Sequence, residues 1–184
     1  MPDTTKHSSY TYQKLFRGIY GYTQAVYKGA GKNYHYHREG ILSNYPYIRP
    51  GKNCVIIPLP AFQTLQEFFK TGKNPTHFWQ EKGDWKCTYF LNEKELAEKE
   101  VAVAVENLLN RKFVASVEGK ALLLNEMKRV NQVGAENSYK SGLVKEAQSI
   151  VDLDWFKQTY QQAPVLIEFY ELFKKLKASI PLQN

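Results

Sequence analysis

Cysteine is almost missing from this sequence, and acidic residues are scarce through its first half. Cys54 and Cys87 are the only two cysteines in 184 residues, far apart and in no C-x-x-C. Such a pair excludes a disulfide framework, and no clustered Cys/His spacing offers the ligand set of a structural zinc. The longest apolar runs, C-V-I-I-P-L-P-A-F and V-A-V-A-V-E-N-L-L, are interrupted and fall short of the about 18 residues a membrane span needs. No charged-then-apolar leader opens the chain. Nucleophile elbow, dinucleotide fingerprint, catalytic Cys–His spacing, long repeat and low-complexity tract are all lacking. The expectation is a soluble, cytoplasmic protein with no membrane partner.

What the chain does have is aromatic rings and unevenly placed positive charge. Apolar residues make up 43% and Phe, Tyr and Trp 14%, which is ample for a core. Net charge is +7, and up to Asn92 there are 12 Lys and Arg against 5 Asp and Glu. From Glu93 onward the count is 13 against 13, so the whole excess lies in the first half. That asymmetry is expected where one face meets a polyanion. The composition suits a compact domain, or two parts covering residues 1–92 and 93–184.

Nine of thirteen tyrosines fall between residues 10 and 60, recurring as Tyr-x-Tyr at 10/12, 20/22, 34/36 and 45/47. Period two predicts strands, here over Gly18–Tyr27 and Asn33–His37 across K-G-A-G-K. An ordered loop over Arg38–Asn53 and a short buried strand over Cys54–Leu59 follow. Pro60 then opens a helix to about Thr71. Asp84–Leu91 reads as a strand, with Trp79 and Trp85 as an aromatic clamp or the anchors of a hairpin. N-E-K-E at Asn92 resembles a capping box for a helix to Asn110. Lys112–Val117 and Ala121–Lys128 pair as a hairpin, a polar loop spans residues 131–142, and helices cover Leu143–Gln161 and Pro164–Ala178. The fold expected is α+β, a basic strand-rich N-terminal part on a C-terminal helix–β-hairpin–helix core.

Three constellations could carry chemistry. The basic and aromatic set Lys28, Lys32, Tyr34, Tyr36, Arg38, Arg49 and Lys52, with Lys14 and Arg17 nearby, suits nucleic acid: cations neutralise phosphates and rings stack on bases. His35 and His37 share one face of a strand and could move protons, meet a phosphate or bind a metal; otherwise they are a polar face. In A-L-L-L-N-E-M-K-R-V, Glu126 and Lys128 would share a strand face, the carboxylate on a divalent metal and the ammonium beside a water. The alternative there is an exposed ion pair.

The order helix, strand, turn, strand ending in Glu-x-Lys over Glu93–Val130 resembles the core of the PD-(D/E)xK nucleases, which include restriction endonucleases and archaeal Holliday-junction resolvases. That resemblance implies Mg2+, with Glu126 as metal ligand, Lys128 beside the attacking water, and Glu98 or Glu100 as an outer ligand or orienter. No Asp lies between Glu93 and Glu126, which leaves Glu118 as the nearest acidic residue for the second carboxylate. The function expected is nucleic-acid processing, a magnesium-dependent endonuclease or else a non-catalytic DNA- or RNA-binding module. A protein-interaction factor using the tyrosine-rich face is the third class.

Overall fold

The computed structural model describes residues 9–28, 32–73, 88–89, 96–117 and 119–181. It is an α+β protein, with seven α-helices and three antiparallel strand pairs among the described residues. No helix among them is long and apolar enough to cross a membrane. The chain divides into two units: residues 1–45 with 57–94, and residues 46–56 with 95–184.

The first unit opens with α1 (Tyr10–Tyr20), where a strand pattern is expected for Tyr10/Tyr12 and Gly18–Tyr20. Helix wins because the rings also repeat every four residues. Tyr12 stacks on Phe16 at 4.4 Å, Phe16 meets Tyr20 at 5.6 Å, and Leu15 and Ile19 are buried. Ser9 caps the start, its hydroxyl accepting from the Tyr12 N–H.

A two-stranded ribbon follows, β1 (Tyr22–Lys28) with β2 (Lys32–Arg38), in register from Tyr22↔Arg38 to Lys28↔Lys32. Gly21 and Gly40 clamp its base. Gly21 has φ +75°, a conformation that L side chains rarely adopt. A Cβ added to Gly40 would lie 2.7 Å from the Ile19 carbonyl oxygen and closer still to the Gly21 nitrogen. Ile41 and Leu42 donate their N–H groups to the Gly18 and Ile19 carbonyls, and Gly40 donates to the Ser43 hydroxyl at 2.8 Å. Helix α2 (Leu59–Thr71) follows in this unit, with Ala61, Leu65 and Phe68 buried and Gly72 after its end, and Tyr89 meets its Phe62 at 4.9 Å.

In the second unit, β3 (Ile48–Gly51), in a stretch expected to be a loop, pairs with β4 (Cys54–Ile56), where a short strand is expected. Cys54 is exposed rather than buried. Helix α3 (Glu98–Leu109) starts later than the capping-box reading; Ala97 is its N-cap, and Asn92 and Glu95 lie outside the described residues. The hairpin β5 (Phe113–Ser116) and β6 (Gly119–Leu122) runs without a loop into α4 (Leu123–Val133), then α5 (Asn137–Val151), α6 (Asp154–Thr159) and α7 (Pro164–Ala178).

Three expectations fail here, the first being a single helix over Leu143–Gln161, which breaks after Val151 into α5 and α6. Residues 121–130 do not continue as a strand: Leu123, Glu126, Met127 and Val130 are buried at i, i+3, i+4 and i+7, the helical spacing, on a run of strong helix formers. Most of the polar stretch 131–142 is helical rather than a loop, closing α4 and opening α5. Helix α7 packs against α3, α4 and α5, and α3 against α6, around a core that includes Leu108, Met127, Ile150, Phe156, Leu166 and Phe169.

The glycine clamp generates a test. Gly40→Ala should destabilise the first unit by about 2–3 kcal/mol, as an overpacked site whose obstacle is backbone. Gly51→Ala, where an added Cβ meets nothing within 4 Å, should stay within about 0.5 kcal/mol of the parent. Urea titrations followed by hydrogen exchange at the β1–β2 amides check both, and equal protection in the two variants would contradict the clamp.

Candidate nucleic-acid interface

The β1–β2 ribbon carries the densest set of expected contact residues. Residues directly opposite in an antiparallel pair share a face, and alternate residues share it along each strand. Tyr34, Tyr36 and Arg38 therefore lie on one face, across from Val26, Gln24 and Tyr22. The other face holds Tyr27, Ala25 and Thr23 opposite Asn33, His35 and His37. Tyr34 and Tyr36 are 41% and 42% exposed on one face, and Tyr27 is 79% exposed on the other. Arg38 and His35 are exposed and His37 half-buried. The register sets Lys28 against Lys32 at the far end of the ribbon, and the intervening Gly29, Ala30 and Gly31 lie outside the described residues.

Helix α1 brings cations to the base of the same unit. The Arg17 guanidinium sits 5.0 Å from the Tyr22 ring centroid, and the Lys14 ammonium 5.9 Å from that of Tyr10. Beyond Tyr34 and Tyr36 the register therefore continues to Arg38, with Arg17 over Tyr22, at one end and to Lys28 opposite Lys32 at the other.

Arg49 and Lys52 belong to the second unit, both exposed on the β3–β4 hairpin. Beside Arg49 lies an open groove of about 380 Å3, lined among others by Tyr47, Ile48, Lys99, Glu100 and Val103. The Arg111 guanidinium stacks 4.4 Å over the Tyr47 ring, and burial lowers its pKa.

The helical state of residues 123–133 separates the pair on which a nuclease site would rest. Two residues apart on a helix means about 200° around the axis, so Glu126 and Lys128 do not share a face. Lys128 reaches Glu168 at 2.9 Å in an exposed ion pair with α7. Glu126 is only 2% exposed, and its oxygens are taken. Arg129 donates from Nη2 at 2.6 Å and from Nε at 3.1 Å, and the Ser116 hydroxyl donates at 3.1 Å. The Tyr139 hydroxyl lies 2.7 Å from both Glu126 Oε1 and the Ala115 carbonyl oxygen, with one proton to give.

These donors hold the Glu126 carboxyl at about 2, well below the ordinary 4.5. The Arg129 hydrogen bonds contribute most, Tyr139 and Ser116 less, against the opposing effect of burial. Burial, then the bond to Glu126, raises the Tyr139 phenol. Glu98 accepts from Gln162 at 2.7 Å, Glu100 is exposed, and Glu118, Trp79, Trp85 and Cys87 lie outside the described residues. Among the described residues, no group of three or more His, Cys, Asp or Glu side chains is placed to hold a metal ion. Arg129, Tyr139 and Ser116 are the partners that a strand reading of Glu126 hides; on a helix, Glu126 and Arg129 are an i,i+3 pair.

No family model matches this chain, and no curated protein or solved structure is significantly similar to it.

The Glu126 cluster predicts a pH signature. A carboxyl whose folded pKa is depressed adds stability that is fully present above its unfolded value, near 4.5, and lost as pH falls toward about 2. Glu126→Gln should cost about 1–3 kcal/mol at neutral pH, by leaving Arg129 and Tyr139 poorly partnered. The gap between parent and variant should close as the pH is lowered through that window. Lys128→Met should cost about 1 kcal/mol or less, as an exposed pair. Urea unfolding across a pH series measures all three, and a parent–variant gap that does not vary with pH would rule out the carboxylate's role.

Proposed function

We propose that this protein is a non-catalytic nucleic-acid-binding module that engages its partner through the β1–β2 ribbon. The observation that carries this reading is a two-stranded ribbon on which Tyr34, Tyr36 and Arg38 are exposed and, by register, aligned on one face. An isolated pair of strands buries too little to justify seven residues in each for stability alone. Exposed rings and cations on such an element are placed for contact. The concentration of positive charge in the first half of the sequence supports a polyanionic partner. Hydrolysis at Glu126 forms no part of this reading, because its oxygens already accept from Arg129, Ser116 and Tyr139.

Binding of this kind releases counterions, so its strength must fall with salt. If Arg17, Lys28, Lys32 and Arg38 neutralise about four phosphates, raising salt from about 50 to about 200 mM should weaken affinity roughly 50- to 150-fold. Changing Lys28, Lys32 and Arg38 together to Gln should flatten the slope of log affinity against log salt by about two to three. Fluorescence anisotropy with labelled oligonucleotides measures both. Affinity that ignores salt, or no binding to any DNA or RNA form at low salt, would overturn the reading and favour a protein partner.

A further inference from the structure

We infer that two copies of this chain associate through β1, edge to edge and antiparallel about Ala25, joining their ribbons into one four-stranded sheet. The association is a contact of the chain with itself and holds whether or not nucleic acid is bound.

The outer edge of β1 has the composition of a pairing edge. Among the described residues, no third strand joins the ribbon, and the backbone groups of β1 bond to nothing outside it. Edges that must stay single carry proline, a bulge or inserted charge. Y-T-Q-A-V-Y at Tyr22–Tyr27 has none of these, its register against β2 is unbroken, and the one charged position of β1 is Lys28 at its end. Strand β2 is the engaged member of the ribbon, since Tyr34 and His37 each have a further interaction. Two strands alone are marginal in water, which favours adding strands to them.

Charge decides that the added strand is a second copy, and which edge takes it. With the dyad at Ala25, antiparallel self-pairing sets Thr23 against the second copy's Tyr27 and Gln24 against its Val26. Tyr22 then stands against Lys28, and no cation directly faces another. The same operation on β2, about His35, sets Lys32 against Arg38 at both ends, and like charges directly opposite are unfavourable. A second copy therefore suits β1 and is repelled from β2. The side chains agree with that register. Thr23, Gln24 and Ala25 are exposed, and Ala25, the smallest residue of the strand, is the one that meets itself. Tyr27, 79% exposed, gains Thr23 directly opposite and Ala25 diagonally, an aromatic against a β-branched neighbour. Even positions meet even ones, so like faces of the two ribbons fall on one side of the joined sheet.

Sedimentation of the full chain, freed of nucleic acid, tests this between about 1 and 500 μM protein. The parent should pass from monomer to dimer with a dissociation constant of about 1–100 μM, in keeping with a small interface. Ala25→Lys and Ala25→Glu each bring like charges together at the dyad, and each should weaken association by about tenfold or more. Mixed in equal amounts, the two variants should recover association to within about threefold of the parent, because lysine then faces glutamate. Circular dichroism establishes that each variant is folded. Hydrogen exchange on the parent needs no substitution: the outward amides of β1 should gain protection as concentration rises, and those of β2 should not. A parent that stays monomeric at the highest concentration overturns the association and leaves the edge to an extended segment of another protein. A dimer that Ala25→Lys leaves intact, or whose outward β1 amides exchange alike at low and high concentration, overturns it too. Folded variants whose mixture remains monomeric overturn the pairing about Ala25.

Discussion

Everything proposed for the ribbon depends on one backbone contact, the approach of Gly40 to Ile19 and Gly21. At that point the end of α1, the start of β1 and the turn after β2 meet with no side chain between them. Two strands alone are marginally stable in water. Here the strands are secured at the base by Ile41 and Leu42 donating to Gly18 and Ile19. Attachment at one end supports the strands that carry the exposed Tyr27, Tyr34 and Tyr36. The tyrosines can then be exposed because their strand does not rely on burying them.

The second unit is organised around an opposite solution. Glu126 is taken out of water and surrounded by donors from three elements: Ser116 on β5, Arg129 on α4 and Tyr139 on α5. A buried, paired carboxylate contributes less to net stability than to specifying an arrangement, since removing any partner leaves a polar group stranded. Around it lie apolar contacts that would tolerate several registers; the cluster accepts one. Tyr139 extends this to the edge of the hairpin, where its hydroxyl also faces the Ala115 carbonyl.

Helices α2 and α7 are legible in the sequence because their signals are local and agree with one another. Pro60 and Pro164 sit in the first turn, apolar residues repeat at helical spacing, and lysines gather at the end of α7. The ribbon is legible too, since Tyr34 and Tyr36 alternate with histidines and tyrosine favours strands. Helices α1 and α4 show why the rest is not. Tyr10 and Tyr12 are two apart, but Tyr12, Phe16 and Tyr20 are four apart, and only tertiary burial of Leu15 and Ile19 decides between the periods. In A-L-L-L-N-E-M-K the apolar run has no period of its own. Its helical state emerges from Met127 and Val130 further on, and from a partner for Glu126, Tyr139, thirteen residues away. The candidate cations were visible residue by residue. Their distribution was not: Arg49 and Lys52 fold with the C-terminal helices rather than with Arg38.

That distribution has a consequence for how the chain is made. Residues 46–56 belong to the second unit, yet they are flanked on both sides by segments of the first. On the ribosome, the β3–β4 hairpin emerges before α3, the helix it packs against, has been synthesised. Half-buried Ile48, Val55 and Ile56 must therefore wait, while the first unit has all its own segments by residue 94. The N-terminal unit can fold while that hairpin is still unpartnered, and the hairpin's own assembly waits for long-range recruitment by the helices that arrive after it.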